Sequence, residues 1–207
     1  QIFIGQGVGM LGNAATNIAF PVTTIATATA LLLGIGSASN YNLEMGAGKE
    51  KRASEIAGTG LSTLVISGVV IAAIVLLFLE HLLHAFGATS EVLPYAVDYT
   101  GITAIGIPFF ILTTGGNHLI RADRSPTYSM VSMLTGAILN TILDPLFIFV
   151  FHWGIKGAAA ATVIGQVVSG LLVILYFVKY KKMDMKVSAL RPRAVYLKAV
   201  AALGMAS

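Results

Sequence analysis

The sequence has 207 residues, of which 56% are hydrophobic and only 11% are charged. Soluble domains carry about 25% charged residues, so this composition excludes an ordinary soluble protein and predicts an integral membrane protein. The absence of cysteine excludes disulfides, cysteine zinc sites and thiol chemistry. The net charge of +4 does not indicate a nucleic-acid partner, because the basic residues lie between apolar segments and mark topology.

Five charge-poor segments reach the roughly 20 apolar residues that a membrane-spanning helix needs. The predicted spans are residues 8–41, 56–79, 92–120, 125–151 and 157–178. A further apolar run begins at residue 195. Pro21 should kink the first span, because proline cannot donate a helical hydrogen bond. The predicted fold class is therefore all-α, a polytopic helical bundle in a membrane.

The basic residues fall in alternate connections. They follow the first, third and fifth spans, and only Lys156 lies in the other connections. The positive-inside rule therefore predicts that the segments 49–52, 121–124 and 179–198 are cytoplasmic. The connections near 81–91 and 152–156 should face outward, as should the N-terminus.

Both ends of the sequence suggest a piece of a larger protein. An N-terminus that begins outside should follow a signal sequence or an earlier helix, and the first residues have no basic n-region. We therefore expect at least one helix before Gln1. The apolar run from residue 195 is too short to span a membrane by Ser207.

The fourth predicted span contains one charged residue, Asp144. Asn140 precedes it by one helical turn, so both side chains should lie on the same face. Pro145 should kink the helix and free the carbonyl group of Thr141. A carboxylate at membrane depth is costly and usually serves function, and these oxygen ligands suit a small cation such as Na⁺. We predict a cation pathway at Asp144; the alternative is a carboxylate that reaches the outer interface.

The remaining ionisable groups in or near the spans are weaker candidates. Asp98 lies two turns into the third span, where it could line a substrate cavity or be an interfacial carboxylate beside Tyr95 and Tyr99. The histidines lack neighbours that would complete a metal site, so no metal beyond a possible Na⁺ is predicted. They are His81, His84 and His152 in outer connections, and His118 near an interface.

Several motifs occur together along the chain. They include Ile2-Phe3-Ile4-Gly5, Gly34-Ile35-Gly36-Ser37, Gly46-Ala47-Gly48-Lys49 and Asn117-His118-Leu119-Ile120-Arg121-Ala122. The most specific run is Leu139-Asn140-Thr141-Ile142-Leu143-Asp144-Pro145-Leu146-Phe147-Ile148-Phe149, followed by Gly154-Ile155-Lys156-Gly157-Ala158-Ala159-Ala160-Ala161-Thr162. With these motifs, nearly the whole chain resembles the multidrug and toxic compound extrusion (MATE) family of cation-coupled antiporters, especially its DinF-like prokaryotic branch.

The resemblance implies twelve helices in two six-helix lobes around a central cavity, in the inner membrane of a prokaryote. Residues 1–180 would belong to the N-terminal lobe without its first helix, 181–194 would be a cytoplasmic linker, and 195–207 would begin the C-terminal lobe. The missing first helix and C-terminal lobe would be the chain's partners, together with the lipid bilayer and a small organic substrate. The expected function is export of drug-like compounds in exchange for Na⁺ or H⁺, with no cofactor and no enzymatic activity.

The resemblance also adds candidate residues. It makes Thr162 the partner of Asp144, although from sequence alone a threonine bonded to its own helix backbone is the simpler interpretation. Asn117 is a further cation-site candidate, with a helix-end cap as the alternative. Gln166, one turn after Thr162, would line the substrate cavity or only help the helices to pack. Arg124 stands where the family often has glycine.

Two other functions are compatible with part of the pattern. A flippase for lipid-linked precursors, in the same superfamily, tends to have a strongly cationic cavity, but no Lys or Arg lies inside the five predicted spans. A membrane-embedded hydrolase would need a second acid, or a Ser/His pair, at the depth of Asp144. Secondary active export remains the leading hypothesis.

Overall fold

The computed structural model describes residues 2–206, except for the side chain of Ile2, and over these residues the chain forms helices and no strands. In chain order the helices are α1 (Ile2–Gly7), α2 (Met10–Gly46), α3 (Glu50–Leu77), α4 (Leu79–Ala85), α5 (Leu93–Ala122), α6 (Pro126–Pro145), α7 (Gly154–Leu175) and α8 (Ala194–Met205). A π-helical turn extends α6 over Leu146–Val150, and another extends α7 over Tyr176–Tyr180. A short 3-10 turn, Val187–Leu190, precedes α8.

Five of these helices are long and apolar enough to cross a membrane: α2, α3, α5, and α6 and α7 with their π-helical turns. They match the five predicted spans, so the predicted fold class is confirmed. Some helices extend beyond the apolar segments at one end: α3 begins at Glu50, six residues before its predicted span, and α2 ends at Gly46, five residues after its own. Hydrophobicity marks the part of a helix that lies in lipid, whereas backbone hydrogen bonding continues into the polar turns.

Helix α5 lies at the centre of the bundle and packs against α2, α3, α6 and α7. Small residues allow this close packing. A Cβ atom on Gly34 of α2 would lie 2.5 Å from the Cα atom of Gly115 on α5, so a larger residue could not stand there. Helix α7 lies against both α5 and α6. Of the five helices long enough to span a membrane, α5 and α7 are the most buried.

The segment between α7 and α8 is attached to the bundle through Asp123, at the end of α5. Its buried carboxylate accepts hydrogen bonds from the Tyr176 hydroxyl group (2.8 Å) and from the backbone N–H of Lys182 (2.7 Å). The ammonium group of Lys182 donates to the carbonyl oxygen of Arg124 (2.8 Å). Helix α8 then packs along α2, where Asn40 donates to the carbonyl oxygen of Ala199 (3.0 Å).

Candidate cation site between α6 and α7

Two glycines bring the backbones of α6 and α7 into direct contact. A Cβ atom on Gly136 would lie 2.7 Å from the carbonyl oxygen of Gly165, and one on Gly165 would lie 2.8 Å from that of Gly136. One turn towards the linker on α7, Ser169 donates to the carbonyl oxygen of Ser132 (2.8 Å). Only the small Ser169 side chain lies beside Gly136 at this point, so the helices are close enough for the polar side chains one turn away to meet.

The polar side chains that meet there are Asn140 of α6 and Thr162 of α7. The Asn140 amide donates to the Thr162 hydroxyl oxygen (3.3 Å) and to a carboxylate oxygen of Asp144 (3.4 Å). The Thr162 hydroxyl group donates to the carbonyl oxygen of Ala158 (3.0 Å). The two amide contacts are longer than the usual 2.9–3.0 Å, so the group is loosely bonded. The structure thus brings together three of the predicted site residues.

Asp144 is partly buried, and none of the ion pairs formed within residues 2–206 involves it. Those pairs join Arg52 to Glu44, Lys156 to Asp98, and Arg193 to Glu55. A carboxylate at this depth needs a counter-charge or a proton, because desolvation of an unpaired charge is costly. The neighbours of Asp144 therefore favour a cation or proton from outside the described chain.

The backbone changes its hydrogen bonding next to the carboxylate. Regular α-helix ends at Pro145, and the π-helical turn that follows includes a bond from the Phe151 N–H to the Leu146 carbonyl oxygen (3.0 Å). Proline has no N–H, so the Thr141 carbonyl oxygen lacks its helical donor. This oxygen is a further potential ligand one turn before Pro145.

A small cavity of about 120 Å³ adjoins Thr162 and is lined by residues of α2, α5 and α7. Gln166 of α7 also lines it, and its buried carbonyl oxygen has no hydrogen-bond partner among the described residues. The Thr100 hydroxyl group of α5, which lines the same cavity, is likewise buried and unpartnered there. Unsatisfied polar atoms at a cavity are available to a ligand or to water.

Tyr99 is a cavity residue that the sequence analysis noted only as a neighbour of Asp98. It lines the cavity together with Thr162. Thr103, one turn later on α5, lines the same cavity and donates to the Tyr99 carbonyl oxygen (2.9 Å). The hydroxyl groups of Tyr99 and Thr103 are four residues apart, so they lie on one face of α5. This spacing was the sequence signal that could have indicated a polar, cavity-lining face.

The structure places Asp98 and Asn117 away from this group. Asp98 pairs with Lys156 at 3.3 Å, with both side chains substantially exposed. Asn117 is fully buried, donates to the Thr113 carbonyl oxygen (2.8 Å) and accepts from Ser132 (3.0 Å). Ser132 precedes Asp144 on α6 by roughly 18 Å of helix rise. Functional roles for Asp98 and Asn117 remain predictions.

The histidines are also dispersed. His81 and His84 lie exposed on α4, His152 is exposed in the α6–α7 connection, and His118 is partly buried on α5. Across residues 2–206, no three histidine, aspartate or glutamate side chains are grouped as a metal site would require.

The α5, α6 and α7 framework and its polar group can be compared with known proteins. The MatE family model matches residues 2–146. The chain belongs to the MatE family. It is 28% identical over 203 residues to the multidrug export protein MepA of Staphylococcus haemolyticus (strain JCSC1435), a match that covers 96% of this chain and 45% of the relative.

Two solved structures of a multidrug resistance MATE family transporter of the MOP superfamily are also similar. The inward-facing structure matches with a TM-score of 0.89 at 29% identity and covers 98% of this chain and 47% of that chain. The outward-facing structure matches with a TM-score of 0.90 at 29% identity and covers 99% and 46%. The chain therefore spans about half the length of the MatE proteins that it matches.

These matches confirm the predicted MATE resemblance at the level of the family; the DinF-like branch remains a prediction. MatE proteins are multi-pass transporters of the inner membrane and not enzymes. The five apolar helices of this chain agree with that assignment.

Proposed function

We propose that this chain forms most of one lobe of a cation-coupled efflux transporter, and that Asp144 loads the coupling cation. The observation that carries the proposal is a membrane-depth carboxylate without an ion-pair partner in the described chain, linked through Asn140 to Thr162 on the facing helix. The similarity to a multidrug export protein supports drug-like organic compounds as substrates. It favours export over a lipid flippase or a membrane hydrolase.

The side chains of the group suit either coupling ion. For Na⁺, Asp144, Asn140 and Thr162 would supply carboxylate, amide and hydroxyl oxygens, the hard ligands that small cations prefer. The Asn140 amide now directs its NH₂ group at both neighbours, so it would have to turn its oxygen to the ion. For H⁺, the carboxyl group itself would take up the proton and lose its charge. In both cases loading neutralises Asp144 and removes the cost of its burial.

Loss of the Asp144 charge can change the packing of neighbouring helices, because Asp144 lies next to the point where α-helix gives way to a π-helical turn. The carboxylate directly precedes Pro145 and the π-helical turn, and Asn140 connects it to α7. Helix ends without regular α-helical bonding rearrange at low cost, since fewer backbone hydrogen bonds must break. We infer that cation loading changes the packing of the outer end of α6 against α7, and with it the adjoining cavity.

We further propose that the lobe moves largely as one body during transport. The chain matches inward-facing and outward-facing MATE structures equally well, with TM-scores of 0.89 and 0.90. We assign residues 1–180 to the N-terminal lobe, residues 181–194 to the linker between the lobes and residues 195–207 to the start of the second lobe. Coverage of 45–47% of the matched proteins supports a second lobe of similar size.

Transport by the full protein in proteoliposomes tests the role of Asp144. Asp144→Asn keeps the size of the side chain and removes its charge, so efflux driven by an imposed Na⁺ or H⁺ gradient should fall to background while the protein still folds. The matched control is Glu91→Gln, which removes the same charge from an exposed position in the α4–α5 connection and should leave transport unchanged. Separate Na⁺ and H⁺ gradients identify the coupling ion. Undiminished efflux by Asp144→Asn would refute the proposal.

A further inference from the structure

A second recess lies at the linker end of the bundle. It is a groove of about 510 Å³ between α3 and α7, with Leu112 of α5 in its wall and the segment 181–190 along one side. Its α7 residues begin at Ile174, roughly 18 Å along the helix from Thr162. It shares no lining residue with the cavity beside the candidate cation site. That cavity is lined by α2, α5 and α7, whereas the groove is lined by α3 and not by α2.

The groove has apolar walls that continue into an exposed apolar surface. Val65 and Ile66 of α3 and Ile174 of α7 line it and are 40–50% exposed. From Ile66, the exposed stripe runs along α3 through Val70, Ile74 and Leu77. An apolar stripe over the length of a spanning helix is the surface that lipid chains cover. The groove is thus a recess in a lipid-facing wall, within the usual volume of ligand sites.

Two lysines lie at the linker side of this groove. Lys181 is partly buried, and its ammonium group donates to the carbonyl oxygen of Met185. Lys186 is exposed and lines the groove on the other side of Met185. Lys179 and Lys182 are close in sequence, and Asp184 is the one acidic residue of the segment 179–186. Lys181 and Lys186 therefore give the polar end of the groove two cationic groups, and Lys186 also lines an adjoining recess together with Glu50, Glu55 and Asp184.

We propose that this groove binds an anionic phospholipid. One acyl chain would lie between α3 and α7, and the phosphate would lie at the ammonium groups of Lys181 and Lys186. A neutral lipid would fill the apolar part equally well but would offer no net negative charge to the two ammonium groups. Basic pockets between membrane helices bind anionic headgroups, with about a fivefold gain in affinity for each lysine. The lipid would also hold the segment 181–190 against α3 and α7.

The test measures lipid retention by the full protein in detergent. Native mass spectrometry with equal amounts of phosphatidylglycerol and phosphatidylcholine should show preferential retention of phosphatidylglycerol. Lys186→Ala should weaken this retention about fivefold, and Lys181→Ala with Lys186→Ala should weaken it further. Lys186 is exposed, so its single variant still tests the proposal if loss of the Lys181 contact disturbs the segment. The control is Lys49→Ala with Lys198→Ala, which removes the same charge from two exposed positions that do not line the groove.

A second variant tests the apolar part. Val65→Trp fills the groove from an exposed position and leaves both lysines in place, and it should also abolish the preference. Equal retention of the two lipids by the unaltered protein would overturn the proposal. So would an equal loss in the Lys49 and Lys198 control, because that would indicate attraction by net charge alone. Retention by Val65→Trp would show that the headgroup binds without a chain in the groove.

Discussion

At the residue scale, the candidate site depends on an asparagine between two different partners. Asn140 connects a carboxylate on its own helix to a hydroxyl group on the next one, at 3.4 and 3.3 Å. Thr162 also donates to the carbonyl oxygen of Ala158 on its own helix, so the local hydrogen bond coexists with the contact to Asn140. A threonine hydroxyl group can donate to a carbonyl oxygen and still accept from an amide.

This arrangement predicts a graded response to truncation. Asn140→Ala removes a neutral ligand and a hydrogen bond to a charged group, so the concentration of coupling ion needed for half-maximal transport should rise by about tenfold. Thr162→Ala removes one neutral contact and should raise it by about fivefold. Ion-titrated efflux in proteoliposomes measures both, with Thr141→Ala as an exposed control on α6. A larger effect from Thr162→Ala than from Asn140→Ala would contradict this order.

Arg124 departs from the family pattern at a position with an unusual backbone conformation. It stands where the resemblance leads one to expect glycine, and its backbone has a φ of 59°, in the left-handed region that glycine adopts most easily. The turn also presents the Arg124 carbonyl oxygen to Lys182. The backbone shape of this turn is therefore retained without the glycine.

At the element scale, the contact between α6 and α7 sets the geometry of the site. The two helices touch through Gly136 and Gly165, and Asn140 and Thr162 lie one turn from that contact. Most of the large apolar side chains on the rest of α6, such as Met133 and Ile138, are exposed. The relative position of the two helices therefore depends on a narrow strip of small residues.

Gly136→Ala should separate the helices. The new methyl group would meet the Gly165 carbonyl oxygen at 2.7 Å, and overpacking of this kind costs about 1–3 kcal/mol. We expect a lower unfolding temperature of the full protein in detergent and weaker ion coupling, because the Asn140 and Thr162 side chains move apart. The control is Ala137→Leu, which adds more volume at the next position. Residue 137 is exposed, so this variant should change neither the unfolding temperature nor the ion coupling. Wild-type stability in Gly136→Ala would show that the helices have room at this contact.

At the scale of the whole molecule, the basic residues and the fold define two ends of the bundle. The α2–α3 connection, the α5–α6 connection and the segment after α7 carry the basic residues, and Asp123 joins the last two through Tyr176 and Lys182. Their contact shows that these segments lie at the same end, as the predicted topology requires. The assignment of that end to the cytoplasm follows from the charge count alone.

Cysteine labelling in intact cells tests this orientation, because the chain has no cysteine of its own. A cysteine at Lys51 or Lys182 should resist a membrane-impermeant maleimide until the cells are opened. A cysteine at Glu91, which is exposed in the α4–α5 connection, should react at once and serves as the control. Labelling of position 51 or 182 in intact cells would reverse the topology.

The sequence by itself determined the membrane class, the five spans and the family resemblance, and it singled out Asp144 and Asn140 as candidate site residues. These conclusions rest on properties local to a segment: apolar length, the cost of a charge in lipid and the four-residue spacing of a helix. Only the tertiary structure decided which helices are neighbours. It joined Thr162 to Asn140, added Tyr99 to the adjoining cavity and separated Asn117 and Asp98 from the group. The physical reason is that apolar lipid and apolar helix faces differ little in hydropathy, so the choice of neighbours depends on the close fit of small residues such as Gly136 and Gly165.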